Sequence, residues 1–442
     1  MRRLPVLLIV FVVALLMAAC SGDEEVKDVP PTPKLAVVEF ATPAPSPTLT
    51  QPPAAILTPT PAPTVGMGIA ASEPAVLSAA ELEQYIARRP ADVNPLTGLK
   101  MDDPTLLQRR PLMVRVGNDP VARPQVGLID ADIVYEEITE WWVTRFTGIF
   151  LSKDPTTIAP VRSARLINLQ LVPQYQGALA SSGGSDGVRW LLSQSDIVDL
   201  DELFVPLPYF YRDNENWATR LAFDATVARQ YMADEGLDTA VKLRGFYFTP
   251  SIDEKTLPPG VLFDANEVVI PFPQVTSEAT WKYDPASNSY LRFTTGDPHY
   301  DLSGKQLSAA NVIIYFAEHQ ATDIVEDSNG ATSIRIIMNG RGAAWLLRDG
   351  KLLKGNWETD GTQTPQFVFD NGQPMPLKPG NTWVQVIPLD YFVTIDGKED
   401  TSLPELIQPA GTDVAVPTAT PPAAPTPTAT PIGARPTATS TN

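Results

Sequence analysis

Both ends of the chain are dominated by proline, threonine, alanine and serine. Residues 21–92 include the run TPAPSPTLTQPPAAILTPTPAPT, and residues 409–442 end in AVPTATPPAAPTPTATPIGARPTATSTN. Such segments carry too few large apolar side chains to offset the entropy cost of ordering them, so we expect both to be disordered. The folded part of this 442-residue chain must therefore come from its middle.

The first twenty residues, MRRLPVLLIVFVVALLMAAC, have the form of a secretory signal peptide, with two arginines, an apolar run and small residues before Cys20. Residues 17–20 resemble a bacterial lipobox, where the signal is cut and the cysteine is acylated. Cys20 is the only cysteine, which excludes disulfides, cysteine–zinc sites and a cysteine nucleophile. We expect a lipoprotein held in membrane lipid on the extracytoplasmic face, with residues 21–92 as its tether. The alternatives are an uncleaved signal anchor and a secreted chain.

Charge and motif content narrow the classes of partner. The net charge of −18 argues against nucleic acid, because a phosphate backbone requires a basic surface. The chain has two histidines and lacks a Walker loop, a dinucleotide-type glycine fingerprint, an HExxH pair and an EF-hand loop. We therefore expect no cofactor and no metal site.

Between the two ends, the sequence predicts an α+β fold in two domains. In residues 93–245, PLMVRVGN, ADIVYEEI, TRFTGIFLS and GALASS are predicted strands, and SARLINLQLV, GVRWLLSQ and DATVARQYMADEG are predicted helices. Residues 246–408 instead contain short β-branched and aromatic runs separated by turn signals. We predict a mixed α/β N-terminal domain followed by a β-rich C-terminal domain, either a sandwich or a partly open barrel.

Several ordered motifs resemble a known bacterial family. In the N-terminal part they are NPLTGL (94–99), the stretch from RRPLMVRVGN to RFTGIF (109–150), IAPVRSARL (158–166) and SSGGS (181–185). In the C-terminal part they are GDPHYD (296–301), NVII (311–314), GRGAAWLLRDGKLLKGNW (340–357) and PGNTWVQVIP (379–388). These motifs resemble the two domains of the YerB-like lipoproteins. The resemblance implies a lipid-anchored extracytoplasmic protein of two domains, and it implies no established activity.

Ser185 is a candidate nucleophile, because GGSDG fits the G-x-S-x-G pattern of serine hydrolases. A strand is predicted before it and a helix after it, as that pattern requires. The base would have to be a histidine such as His299, which lies in the other predicted domain. An envelope serine hydrolase using Ser185 is therefore the alternative function. In a third interpretation, Ser185 or Asp186 is simply the N-cap of the helix.

A binding or scaffolding module for an anionic or envelope-derived ligand is the favoured function. Backbone N–H groups of the glycine loop and nearby guanidinium groups would hold the anion, with Ser163 expected to cap the helix that follows it. The ligand would be an anionic small molecule, a wall polymer or an envelope protein. The predicted ligand-binding residues are Arg123, Arg162, Ser163, Arg165, Gly183, Gly184 and Ser185.

The alternative role for these arginines is a structural ion-pair network. Their partners would be Asp130, Asp132, Glu136, Glu137 and Glu140. Glu136 and Glu137 are adjacent in a predicted strand, so they should point to opposite faces and are poor partners for a glycosidase pair, which must share a cleft. Trp141 and Trp142 follow at a predicted hairpin tip, where they are either exposed for binding or packed on the C-terminal domain.

Overall fold

The computed structural model describes residues 79–202, 208–212, 214–216 and 219–402. All of them belong to one compact unit. The predicted signal peptide, Cys20, the tether up to residue 78 and the tail from residue 403 lie outside the described residues. Within the described ranges, no helix has the length and apolar character needed to cross a membrane.

The described part contains four α-helices: α1 (Ala79–Ala87), α2 (Asn168–Tyr175), α3 (Asp186–Ser193) and α4 (Ala225–Asp234). Helix α1 falls inside the predicted tether, so regular structure begins before residue 93. Its sequence, AAELEQYIA, buries Leu82, which is 3% exposed. Tyr85 also packs edge-on against Tyr247 with ring centroids 5.0 Å apart. These long-range contacts explain why composition alone missed the helix.

The remaining regular structure is β. The strands are β1 (Leu112–Gly117), β2 (Ile133–Thr139), β3 (Val143–Phe150), β4 (Ala178–Ser181), β5 (Val198–Asp201), β6 (Phe210–Arg212), β7 (Leu221–Phe223), β8 (Leu262–Asp264), β9 (Glu267–Ile270), β10 (Ala279–Asp284), β11 (Ser289–Thr294), β12 (Asp297–Pro298), β13 (Ser308–Ala309), β14 (Asn311–Ala317), β15 (His319–Val325), β16 (Thr332–Ile336), β17 (Gly340–Arg348), β18 (Lys351–Thr359), β19 (Gln366–Val368), β20 (Thr382–Pro388), β21 (Val393–Ile395) and β22 (Lys398–Asp400).

One large sheet contains strands from both predicted domains. Its order is β19-β18-β17-β14-β20-β2-β3-β1-β4-β5, with β8 paired to β18. Strand β20 lies parallel to both β14 and β2. Every residue of β14 is buried, as expected of a strand covered on both faces. The predicted division at residue 245 therefore does not separate two sheets.

The core lies on both faces of the large sheet. A second sheet, in the order β12-β11-β10-β9-β21-β22 with β13 paired to β11, packs on one face, where Trp281 meets Trp383 with ring centroids 5.3 Å apart. Helices α2 and α3 cover the other face, where Leu171 and Val188 are fully buried with Tyr135. The strands β6–β7 and β15–β16 form two separate pairs.

The predicted fold class, α+β with a β-rich C-terminal region, is confirmed, and in the described part neither of the two larger sheets closes into a barrel. One helix prediction needs correction. Helix α2 begins at Asn168 and not near Ser163, and Ile167 is its N-cap. Residues 161–164 are instead extended, because their backbone groups bond to β1 and to the SSGGS loop. Ser163 therefore does not cap a helix.

Candidate functional site

The PVRSAR segment (160–165) and the SSGGS loop (181–185) are neighbours in the structure. Arg162 donates its backbone N–H to the carbonyl of Arg115 in β1 over 3.0 Å, and its own carbonyl accepts from the N–H of Ser182 over 3.0 Å. Ala164 donates to the carbonyl of Gly183 over 2.8 Å. The structure thus brings Arg162, Ser163 and the glycine loop together by main-chain hydrogen bonds.

Ser185 is the N-cap residue of α3. Its Oγ accepts a hydrogen bond from the backbone N–H of Val188 over 3.4 Å, and the residue is only 8% exposed. This contact satisfies one of the free N–H groups at the start of the helix. The strand-to-helix geometry that the G-x-S-x-G pattern requires is present, with β4 before the loop and α3 after it.

His299 has hydrogen-bond partners on both ring nitrogens. Nδ1 lies 2.8 Å from Thr294 Oγ1 and accepts from Arg292 Nε over 3.1 Å, while Nε2 lies 2.7 Å from Gln125 Oε1. Burial lowers the pKa of His299 well below its usual value, and the positive charges of Arg292 and Arg123 add to the effect. These contacts describe a neutral histidine in a buried polar cluster that does not include Ser185.

Two backbone amides of the glycine loop, those of Ser182 and Gly183, donate to protein acceptors. Gly183 adopts a left-handed conformation with φ of 65°, and its N–H donates to Asp201 Oδ1 over 2.7 Å. Asp201 is 2% exposed and also pairs with Arg189 over 3.3 Å. The carboxylate of Asp201 therefore takes the place that a bound anion would take in such a loop. Gly184 lies beside Ala164, whose carbonyl oxygen would be 3.5 Å from an added Cβ.

Arg165 belongs to an ion-pair cluster rather than to the glycine loop. Its Nε donates to Glu140 Oε2 over 2.8 Å, its Nη2 contacts Glu140 Oε1, and its Nη1 lies 3.4 Å from Glu326 Oε2. Arg145 reaches the same Glu140 carboxylate over 3.5 Å. Burial opposes ionisation of Glu140, but the hydrogen bond and charge of Arg165, with the charge of Arg145, lower its pKa to about 2.

A second buried pair lies next to this cluster. Arg115 Nη1 is 2.7 Å from Glu137 Oε1, and both side chains are almost fully buried. Burial raises the pKa of Glu137 to about 7, although Arg115 and Arg145 oppose the shift. Arg115 and Arg145 also donate to the carbonyl of Ser163, over 3.4 and 3.2 Å. The carbonyl of Ser163 is thereby fixed in the ion-pair cluster.

Glu136 points to the opposite face of β2, as the sequence predicted for adjacent strand residues. It forms a bidentate pair with Arg292, in which both nitrogen–oxygen distances are 3.0 Å and neither side chain is exposed. Arg123 lies nearby: it donates to the side chain and carbonyl of Asn118 over 3.0 and 2.7 Å and also bonds to the carbonyl of Thr276. Burial lowers the pKa of Arg123 to about 10, with a further contribution from Arg292.

One cavity of about 200 Å³ combines predicted residues with new ones. Its lining residues are Val161, Arg162, Ser163, Ser182, Glu202, Arg212, Arg220 and Leu221. Arg212 pairs with Glu202 over 2.7 Å, and Ser182 Oγ donates to the same carboxylate over 2.8 Å. Arg162 lies 3.3 Å from Asp119. Counting only these described residues, three guanidinium groups and two carboxylates carry a formal charge of +1, in a chain whose net charge is −18.

Comparison with known proteins identifies the family. A family model described as "Protein of unknown function (DUF3048) N-terminal domain" matches residues 96–238, and the model of the corresponding C-terminal domain matches residues 268–384. "Putative lipoprotein YerB" of Bacillus subtilis (strain 168) is 29% identical over 301 residues, which are 66% of this chain and 86% of the relative. The chain belongs to the YerB-like family.

The crystal structure of YerB protein from Bacillus subtilis has a similar fold, with a TM-score of 0.58 at 27% sequence identity, and the match covers 68% of this chain and 98% of that chain. In this YerB-like protein, the whole cavity lies within the segment matched by the N-terminal model, because its lining residues run from Val161 to Leu221. The Glu136–Arg292 pair, in contrast, links the two matched segments.

Sequence analysis missed three of the charged residues at the cavity of this YerB-like protein: Glu202, Arg212 and Arg220. Glu202 directly follows β5, Arg212 ends the three-residue strand β6, and Arg220 precedes β7. In strands this short, the alternation of apolar and polar residues is too brief to predict which face a side chain is on. Only the pairing of β6 with β7 places Arg212 opposite Leu221, next to Arg220. No local signal could have found them.

Proposed function

We propose that this protein is a membrane-anchored, extracytoplasmic binding module whose cavity between β5, β6 and the PVRSAR segment accepts the anionic group of a ligand. The observation that carries the proposal is the cavity lined by Arg162, Arg212 and Arg220. The relative described as a lipoprotein and the lipobox-like sequence before Cys20 support the anchored location.

The proposed membrane anchor depends on acylation of Cys20. In the mature chain, an acylated cysteine carrying two or more fatty chains would hold the protein stably, whereas one chain gives only marginal membrane binding. The 58 residues between Cys20 and Ala79 would then separate the lipid from the folded part.

Cys20→Ala is expected to move the protein from the detergent phase to the aqueous phase in a Triton X-114 partition, because the variant cannot be acylated at this position. The natural chain, expressed in the same bacterial host, should partition with the detergent. Ser21→Ala serves as a matched control and should behave as the natural chain does. Equal partition of the Cys20→Ala and natural chains would contradict the anchor.

The size and charge of the cavity fit a small anion. Its volume of about 200 Å³ holds a phosphate or carboxylate group with several waters, since one water takes about 30 Å³ of liquid volume. Arginine binds both groups well, because its planar guanidinium can donate two parallel hydrogen bonds. Ser182 and Ser163 supply further polar groups at the wall. The ligand could present this anion on a small molecule, a wall polymer or an envelope protein.

Arg220→Gln is expected to weaken the binding of inorganic phosphate about tenfold or more, because a hydrogen bond to a charged group contributes about 1.5 to 3 kcal/mol. Isothermal titration calorimetry of the full chain with phosphate measures the dissociation constant. The matched control is Arg335→Gln on β16, since Arg335 does not line the cavity. Unchanged affinity in Arg220→Gln, or an equal loss in Arg335→Gln, would argue against the cavity.

The hydrolase alternative gains no support from the geometry at Ser185. Its hydroxyl accepts from the helix start, and the ring of His299 is occupied by Arg292, Thr294 and Gln125. The other histidine, His319, has its Nδ1 3.0 Å from the carbonyl of Ala317. In the described part of the chain, the printed partner of Ser185 Oγ is the N–H of Val188 and not a histidine nitrogen, whereas a serine nucleophile requires a base within hydrogen-bond reach.

A further inference from the structure

Two adjacent tryptophans stand exposed at the tip of the β2–β3 hairpin. The exposed fraction is 56% for Trp141 and 72% for Trp142. Both have left-handed backbone conformations, with φ of 65° and 56°, which large side chains rarely adopt. Strained backbone and exposed apolar rings together are typical of an interaction surface and not of residues that stabilise the core.

Neighbouring loops add two more exposed apolar residues. The indole Nε1 of Trp141 donates to Asp327 Oδ2 over 2.6 Å, which brings Val325 of β15, 55% exposed, close to the tip. The hydroxyl of Thr276 donates to the carbonyl of Trp142, and the preceding Val275 is 88% exposed. We call Trp141, Trp142, Val275 and Val325 the tryptophan patch.

We propose that the C-terminal segment of this chain, residues 403–442, docks its proline run on the tryptophan patch. The run PPAAPTPTATP (421–431) contains a P-x-x-P sequence from Pro422 to Pro425. Proline-rich segments bind to exposed aromatic rings because they are pre-ordered as polyproline II and lose little entropy on docking. Residues 403–442 carry only three charged side chains, so the acidic character of the protein does not oppose docking.

The place where the described chain ends favours this segment as the occupant. Asp400 of β22 lies opposite Val393 of β21, and β21 in turn lies beside β9 with Thr394 opposite Val269. The last residues of β22 and β9 are therefore in one row, about 10 Å apart across two strand spacings. Both strands leave the sheet at the same end. The loop that follows Ile270 carries Val275 and Thr276, and it contacts Trp142.

The length of the segment is sufficient for docking. A flexible chain of 20 residues, the number from 402 to 422, has an average span of about 25 Å, which exceeds the distance of about 10 Å between the ends of β22 and β9. Tethering at this length gives an effective concentration in the millimolar range. A contact between the prolines and the two indole rings with a dissociation constant of about the same size would then keep the patch occupied for about half of the time.

The test uses paramagnetic broadening within the full chain. Cys20→Ser removes the only cysteine, and Ala429→Cys then allows a nitroxide label at the end of the proline run. All eight tryptophans are replaced by 5-fluorotryptophan, and Trp142→Phe assigns the signal of Trp142. We expect the label to reduce the Trp142 fluorine signal at least about twofold relative to that of Trp190, an exposed tryptophan on α3, because a docked label lies near Trp142 for much of the time.

The control variants separate docking from simple proximity. Pro422→Ser with Pro425→Ser should abolish the difference between Trp142 and Trp190, while Thr426→Ser with Thr428→Ser should retain it. Equal broadening of both signals, or broadening of Trp142 that survives the proline changes, would overturn the proposal. A shift of the Trp142 signal with vesicles of phosphatidylglycerol and phosphatidylethanolamine, without any effect of the label, would assign the patch to a membrane surface instead.

Discussion

Glu136→Gln is expected to lower the free energy of unfolding by about 3 to 5 kcal/mol, because it leaves the charge of Arg292 buried without a counter-ion. Neither side chain of the natural pair is exposed. The guanidinium of Arg292 lies between aromatic rings, 5.4 Å from Phe146 and 5.0 Å from Trp383, so water cannot easily replace the lost carboxylate. Denaturant unfolding should show a lower midpoint with an unchanged slope.

An exposed pair provides the matched control. Glu267 lies 2.7 Å from Lys282, and both side chains are more than 40% exposed, so Glu267→Gln should change the free energy of unfolding by less than about 1 kcal/mol. Removing both buried charges, with Glu136→Leu and Arg292→Met together, should be less destabilising than Glu136→Gln alone. If Glu136→Gln and Glu267→Gln lowered the free energy of unfolding by similar amounts, the buried Glu136–Arg292 pair would not stabilise the fold as we describe.

This pair also marks the limit of what the sequence could predict about the fold. Apolar and alternating patterns predicted β2, β14 and β20 as separate strands, because period and length are local properties. The parallel pairing of β20 with β2 joins Ile133 to Thr382, and no local pattern specifies a partner at that separation. The two-domain prediction placed Glu136 and Arg292 in different units, whereas their side chains meet between the large sheet, which contains β2, and the second sheet, which contains β11.

At the candidate site, too, the sequence predicted local features and missed the long-range contacts. The sequence analysis grouped Arg162 with the glycine loop, and main-chain hydrogen bonds do join the two segments. The helix start was wrong, because extended pairing of Val161 with Val116 replaces helical bonds. Arg165 pairs with Glu140, as in the ion-pair alternative, and also with Glu326, which directly follows β15. No local pattern could bring Glu326 to Arg165 across that separation in sequence.

The Glu140 cluster predicts a pH dependence of stability. The pKa of Glu140 falls from 4.5 to about 2 on folding, so its ionised form stabilises the folded state. That contribution is present above the unfolded pKa and is lost as the pH falls toward the folded pKa. We expect Glu140 to account for a loss of about 2 kcal/mol between about pH 5 and about pH 3, out of about 3 kcal/mol in total. Denaturant unfolding at both pH values measures it.

Glu140→Gln separates this effect from the titration of other carboxylates. The variant should be less stable than the natural chain at about pH 5 and should lose about 2 kcal/mol less on going to about pH 3. The pKa of Glu137 shifts in the opposite direction, since it is raised to about 7. The stability that Glu137 contributes is therefore present below its unfolded pKa and is lost as the pH rises through its folded pKa. The two residues therefore act mainly on opposite sides of pH 4.5. Glu267→Gln, at the exposed pair, should keep the natural acid dependence. If Glu140→Gln keeps it as well, the arginines do not hold Glu140 ionised in acid.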